Sequence, residues 1–410
     1  MKRSSWLDIL VAATGDERTL TQPVRQTLSG LDDALFEVWN LGANIILAWT
    51  WDDHEARFLA VRHYAIIEAF DDGPAAPGAA PGAFINRILA GDKFVTPAQF
   101  DRLCIVLGAT SRVFRRDFPS AERPSEAMVT RLVTRYGVSL VRERAVMLLD
   151  AVGFSLRSPL EQVAMLNSLS YSVNSAYRQL MSKDIEINFA RTNTGDGFYI
   201  WNRARTLDAN IALYELMMLI LTDNAVAQRK ARRFPVPKLR AAFHVGEHYE
   251  FYQVEGLNPT TFGYIVGQVT IELSRMIARA LPGQILLGDF NIDVGGGASG
   301  VTRCSTFEFV AKTSATLDHL NGLVVAGDHI ENIRCYLTGA AVRGGDFLVS
   351  RYEILDKHGL SRAVYNAKIN IHRRHAEPIF LGIQHRDLPP SETSSRASPE
   401  RQLVDEMPNV

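Results

Sequence analysis

Met147-Leu-Leu-Asp-Ala-Val-Gly-Phe-Ser155 is the stretch on which the fold turns. Four apolar residues, Val146 to Leu149, read as a buried strand that stops at Asp150 and turns into a glycine-containing loop. A second stretch, Asn193-Thr-Gly-Asp-Gly-Phe-Tyr-Ile-Trp201, sets Asp196 in a tight Gly195-Asp196-Gly197 turn that runs into an aromatic strand, Phe198 to Trp201. Asp and Gly dominate ordinary turns, so either aspartate alone reads as a turn residue. Held together on adjacent strands, the two carboxylates could bind hard divalent cations beside a polyphosphate.

Working outward, strand and helix alternate from about residue 141 to 300. Ser158 with Pro159 and Glu161 starts a helix to about Leu180, with Val163, Leu166, Leu169 and Val173 at helical spacing. Ile185 to Ala190 and Phe198 to Trp201 predict a hairpin. Leu207 to Ala227 predicts a helix so apolar that it must pack on a sheet. Leu239 to Phe251 alternates as a strand pair, Val269 to Leu281 reads as a third helix, and Gly283 to Leu287 as one more strand. Residues 1–140 read as a mainly helical region, in which Leu31 to Asn40 shows helical spacing and Thr96-Pro97 opens a helix. Gly73 to Gly82, rich in Pro and Gly, reads as a surface loop. Residues 301–388 turn β-rich, with strands Phe347 to Leu355 and Ala363 to Ile371 around an Asp356-Lys-His-Gly359 turn. Residues 389–410 read as a disordered tail.

At 410 residues, two or three domains are expected. Apolar residues at 47% and charged residues at 22% fit a globular protein with a substantial core, and a net charge of −1 gives no general pull toward nucleic acid or an acidic membrane. Cys104, Cys304 and Cys335 have neither pairing nor metal-ligand spacing. No export segment follows Met1-Lys-Arg, and Leu41 to Trp51 is too short for a bilayer, so a cytoplasmic protein is expected. The basic run Arg229 to Arg233, with Lys238 and Arg240, reads as a solvated helix end. His244 reads as a sheet residue. His372 and His375 lack an acidic or cysteine partner in sequence, and Gly295-Gly-Gly297 reads as a connector.

Four motifs in order give the middle region, about residues 141 to 290, a resemblance to the catalytic domain of class III nucleotidyl cyclases. They are Asp150-Ala-Val-Gly-Phe-Ser155, the Gly-Asp-Gly turn with Asp196 46 residues after Asp150, Ala242-Phe-His-Val-Gly-Glu247, and Gly267 to Arg275 followed by Ala280-Leu-Pro-Gly-Gln-Ile-Leu286. The resemblance implies an α+β fold, a ferredoxin-like cyclase sheet flanked by helices, in a homodimer with shared active sites. It implies that Asp150 and Asp196, with the Ala151 carbonyl, bind two divalent cations, Mn2+ or Mg2+. Backbone N–H groups of Val152, Gly153, Phe154 and Ser155 would hold the phosphates of a nucleoside triphosphate, and Arg275 would stabilise the transition state from the partner subunit.

The departures bear on the base. Thr192 stands where adenylate cyclases have lysine and guanylate cyclases glutamate, and Tyr264 falls on the second base-reading position, with Arg191 adjacent to Thr192. The asparagine expected four residues before Arg275 is Ile271, unless Thr270 takes its place. Three readings fit: a pyrimidine cyclase resembling those of the Pycsar anti-phage systems, making cyclic UMP or cyclic CMP; an adenylate cyclase with unusual base contacts; or a catalytically inactive cyclase-fold binding module.

Overall fold

A computed structural model describes residues 21–71, 81–115, 123–185, 187–231, 236–254, 261–294, 302–341, 347–355, 359–389 and 395–402. They fall into two compact units, one within Met1–Arg142 and His248–Val266, the other within Glu143–Glu247 and Gly267–Val410. The Gly295-Gly-Gly297 connector lies outside the described residues, as do most of the Gly73 to Gly82 loop and of the Asp356 to Gly359 turn.

In the first unit helices predominate among the described residues up to 140, as expected, but the sequence reading missed a sheet at their centre. An antiparallel sheet of order β1-β2-β3 (Asn44–Trp51, Glu55–Arg62, Arg112–Arg115) forms its centre. Helices α1 (Gln22–Trp39) and α5 (Glu126–Thr134) pack on one face of it. Helices α2 (His63–Asp71), α3 (Pro81–Ala90) and α4 (Pro97–Val106) pack on the other. Strand β1 is buried on both faces, so its apolar residues run without alternation and carry no period-2 signal. Pro81 and Gly82, read as loop, begin α3. Thr96 caps α4 through a capping box with Gln99, as Thr96-Pro97 predicts.

The second unit is built on β4 (Val138–Ala151), α6 (Pro159–Met181), β5 (Phe189–Asn193), β6 (Gly197–Asn202), α7 (Leu207–Lys230) and β7 (Leu239–Val254). Their strands lie side by side in the order β7-β4-β6-β5. Ser158 and Glu161 close a capping box on α6. Instead of a strand pair, Leu239 to Phe251 lies in the single long strand β7. Its C-terminal half, in the first unit, pairs with β8 (Thr261–Val266). Helices α6 and α7 cover one sheet face, with Leu169, Val173, Leu216 and Met217 fully buried against Met147, Leu149 and Phe243. By length and composition α7 could cross a membrane, but 67% of its apolar window is buried inside the protein. Helix α8 (Gln268–Arg279) is followed by β9 (Ile285–Gly288), which runs parallel to β7.

The β-rich C-terminal part is not a separate domain. Beyond the short β10 (Asn291–Val294) and β11 (Thr302–Ser305), helix α9 (Thr306–Thr316) buries Phe309 and Val310 in the same core as α7. The sheet then continues outward from β9. Counting β12 (Val324–Val325), β13 (Asp328–Leu337), β14 (Gly339–Ala341), β15 (Phe347–Leu355) and β16 (Ser361–Arg373), it is β16 that pairs β9, and β13 that pairs β16. β15 and β16 form the expected antiparallel pair. Strand β17 (Ile379–Leu381) adds to β16. Ser395–Gln402, expected to be disordered, forms β18 against β15, a pairing whose partner lies more than 40 residues away and leaves no local signal.

His375 also differs from expectation, because it does have an acidic partner. Asp328 accepts from the His375, Ala376 and His329 backbone N–H groups and from the His375 ring, at 2.7–3.2 Å. These donors, the His375 backbone first, hold the Asp328 carboxyl far below its ordinary 3.8. A depressed folded-state pKa stabilises the fold above pH 3.8, and that stability is lost as pH falls below it. Replacing Asp328 with Asn should therefore flatten the acid limb of the stability profile below about pH 4, read by circular dichroism along a pH series.

Candidate active site

Asp150 ends β4, and its register partner on β6 is Gly197. That pairing brings the two carboxylates together, because Asp196 directly precedes Gly197 in the β5–β6 turn, and the Ala151 N–H donates to the Asp196 carbonyl at 2.9 Å. The turn is held locally: Thr194 N–H donates to the Gly197 carbonyl, and Gly195 N–H donates to Asn193 Oδ1. Gly195 has φ +100°, which an L side chain rarely adopts. Gly197 is required for a different reason. A Cβ there would lie 1.8 Å from the Leu149 carbonyl oxygen, so only a bare Cα lets β6 approach β4 this closely.

Strand alternation sorts the neighbours by face. Met147 and Leu149 point into the helix-packed core, opposite Ile200 and Phe198. Asp150 therefore points to the other face. Tyr199 on β6 shares that face, and so does its partner Thr192 on β5. Helix α8 lies on this side too: the Tyr199 hydroxyl donates to the Thr270 carbonyl at 3.1 Å, and a Cβ on Gly246 would touch Val269. Arg191 takes the opposite face, its guanidinium 5.2 Å from the centre of the Phe198 ring. Its assignment beside Thr192 as a base contact is thereby corrected; parity along β5 separates them. Tyr264 belongs to the first unit, where it pairs with Phe251 and stacks on its ring.

The residue missed in sequence is Arg240. It is not part of a solvated helix end but sits early on β7, and its Nε and Nη2 both donate to Asp150 Oδ2, at 2.8 and 2.5 Å. The signal was available: Leu239, Ala241 and Phe243 are core residues, so alternation puts Arg240 on the Asp150 face. Asp150 is 6% exposed. Burial raises its pKa above the ordinary value, the Arg240 guanidinium opposes this, and the Asp196 charge adds to the rise. Asp150 is thus a buried carboxylate with a second carboxylate beside it and the Arg240 guanidinium as its counter-charge. Two carboxylates and the Ala151 carbonyl are hard oxygen donors of the kind Mg2+ and Mn2+ prefer. Among the described residues no group of three or more His, Cys, Asp or Glu is placed to hold a metal ion, and Asp150 with Asp196 makes a pair only.

Of the expected phosphate-binding N–H groups, that of Val152 is engaged with the Lys238 carbonyl at 2.9 Å. Gly153, at φ +69°, then turns the chain into a separate 3-10 turn, Phe154–Leu156, which Arg157 and Ser158 divide from the start of α6. Of the four N–H groups expected to meet phosphate, the Val152 N–H is thus committed to the sheet, and those of Gly153, Phe154 and Ser155 lie in the turn that follows. On α8, Arg275 is half-buried, and Ile271 one turn before it is 46% exposed. The Thr270 hydroxyl is occupied at the helix start, donating to the Gly267 carbonyl and accepting from the Gly267 N–H. Ile271 thus stands one helical turn before Arg275, while the Thr270 hydroxyl is engaged with the Gly267 backbone. His244 is a sheet residue as expected, packed against Gly288, and burial lowers its imidazole to about 4.

The sequence matches no family model and no curated protein. Solved structures that align with it include the adenylyl cyclase CyaB from P. aeruginosa, at 12% identity over 62% of this chain and 99% of that one, with a TM-score of 0.32. The guanylate cyclase domain of RhGC from Catenaria anguillulae in complex with GTP aligns at 11% identity over 58% and 99%, TM-score 0.33. A bacterial light-regulated adenylyl cyclase aligns at 13% over 47% and 63%, TM-score 0.30.

The Gly197 contact gives a direct test of how the carboxylates are placed. Gly197→Ala should destabilise the protein by about 3 kcal/mol, since the added Cβ overlaps backbone that cannot move aside without breaking the β4–β6 ladder. The urea-unfolding midpoint measures it, and a midpoint unchanged from the parent would contradict the close approach.

Proposed function

We propose that this chain is a nucleotidyl cyclase converting a nucleoside triphosphate, UTP or CTP foremost, to its 3′,5′-cyclic monophosphate and pyrophosphate. The observation that carries this is the βαββαβ order of β4, α6, β5, β6, α7 and β7, with strands arranged β7-β4-β6-β5. We read it as the ferredoxin-like cyclase sheet, with the two aspartates brought together at the Asp150–Gly197 end of its central pair.

Asp150, Asp196 and the Ala151 carbonyl would hold divalent cations, Mg2+ or Mn2+. Such ions, when bound, lower the cost of ionising the ribose 3′-hydroxyl and of charge building on pyrophosphate. The chain's own groups bind and orient. The N–H groups of Gly153, Phe154 and Ser155 face the phosphates, and Arg240 supplies a fixed positive charge beside Asp150. The 3′-oxygen attacks the α-phosphorus, that P–O bond forms as the bond to pyrophosphate breaks, and the hydroxyl proton leaves to solvent. Thr192, on the same face as Asp150, is our assigned base contact; its short hydroxyl leaves neither the lysine nor the glutamate that reads a purine. Arg275 acts from the partner subunit of a homodimer. Synthesis of a cyclic pyrimidine nucleotide would fit a role in anti-phage signalling.

Incubating the protein with Mn2+ or Mg2+ and each of ATP, GTP, CTP and UTP, then separating products by chromatography, tests this. Cyclic product from UTP or CTP alone is expected, with Asp150→Ala slower by at least about a hundredfold. Product from ATP alone would make it an adenylate cyclase. The exposed apolar Ile271 one turn before Arg275 favours a second reading, a cyclase fold kept as a binding module. No cyclic product from any triphosphate, with Asp150→Ala indistinguishable from the parent, would establish it.

Shared sites make a separate prediction. Asp196→Ala and Arg275→Ala variants, each inactive alone, should regain up to about a quarter of parental activity when mixed, because statistical pairing creates one intact site in half of the dimers. Heterodimers that form without activity would exclude Arg275 as the partner's contribution.

A further inference from the structure

The first unit contains a cavity of about 510 Å3 that the proposed reaction does not use. Five aromatic side chains line it: Trp39 at the end of α1, Tyr136 between α5 and β4, and Tyr249, Phe251 and Tyr252 on β7. The inner wall is buried, with Trp39 5% and Tyr136 3% exposed, whereas Ile67 is 62% exposed and marks the mouth.

The rings are fixed before any ligand arrives. Trp39 and Tyr136 meet edge to face with centroids 6.0 Å apart, and Phe251 stacks on Tyr264 at 5.6 Å. Two of the tyrosine hydroxyls are engaged: Tyr136 donates to Asp32 at 2.5 Å, and Tyr252 donates to Glu250 at 3.2 Å. What these side chains offer the cavity is therefore mainly ring carbon. Among the described residues no lysine or arginine lines it, which does not suit a second triphosphate site, and His63 is the one ionisable lining side chain besides the tyrosines.

We propose that this cavity is a binding site for a flat, largely apolar aromatic small molecule of two or three fused rings. The volume is in the range of pockets that enclose small organic ligands. Rigid ring walls favour a planar π-system, which gains offset-stacked and edge contacts that a flexible chain of equal apolar area does not. A chain would also lose rotamer freedom on entry, a cost a fused ring avoids.

Isothermal titration of the full chain with 2-naphthol and, separately, 1-decanol, which have the same carbon count, tests the proposal. Saturable 2-naphthol binding with a Kd below about 100 µM is expected, with 1-decanol at least about tenfold weaker. Ile67→Trp, at an exposed rim position, should abolish binding by closing the mouth. Phe251→Leu should weaken 2-naphthol about fivefold while leaving 1-decanol unchanged, since it removes a ring and keeps an apolar wall. Absence of saturable 2-naphthol binding, equal or tighter binding of 1-decanol, or full binding by Ile67→Trp would each overturn it. None of these readouts depends on cyclase activity.

Discussion

The close approach of β6 to β4, with Gly197 set opposite Asp150, is the constraint on which the candidate site depends. A strand pair normally keeps side chains clear of the facing backbone, yet at this position even a methyl group would penetrate the Leu149 carbonyl. The absent side chain lets Asp196 leave its turn beside the end of β4 instead of one step outward. The placement of one carboxylate relative to the other is therefore set by backbone contact, and no long side chain has to hold it.

The sheet then separates structure from chemistry by face. Its core side is filled by α6, α7 and α9, where Phe243, Tyr214 and Phe309 meet at ring-centroid distances of 5.0–5.8 Å. Its other side carries Asp150, Arg240, Thr192 and Tyr199, with α8 alongside. Because neighbouring residues of one strand serve opposite faces, Leu149 can belong wholly to packing while Asp150 belongs to the site. Outward from β9 the C-terminal strands continue the same sheet. The Gln284 amide donates to Asn366 Oδ1, and the Asn366 amide donates to Thr338 and to the Ile383 carbonyl. This buried polar relay specifies how the C-terminal strands dock onto β9.

Much of this was legible in local residues. Capping boxes at Thr96 and Ser158 announce their helices because the donors they satisfy lie within one turn. The apolar-to-Asp-to-Gly transitions at 150 and 196 likewise announce strand ends, and the apolar run of α7 announces a core helix. What local sequence does not encode is pairing between distant segments. The continuous burial of β1 erased the alternation that would have marked it as a strand. β18 owes its existence to β15, and β16 owes its sheet to β9. Arg191 was misplaced because its face depends on the register of β5 against β6, a single-residue parity that composition does not reveal. Arg240 was missed because a basic cluster next to a helix end drew it into a helix it does not belong to.

The contact between Arg240 and Asp150 has a consequence for how the protein persists in a cell. Small zinc domains fold only when their ion is present, so metal scarcity removes the protein itself. Here the buried carboxylate already has a counter-charge drawn from the same polypeptide, and the second unit can assemble on the ribosome's schedule without waiting for an ion. Folding of this unit then draws on no ion, and how much folded protein a cell holds is set by synthesis and turnover of the chain.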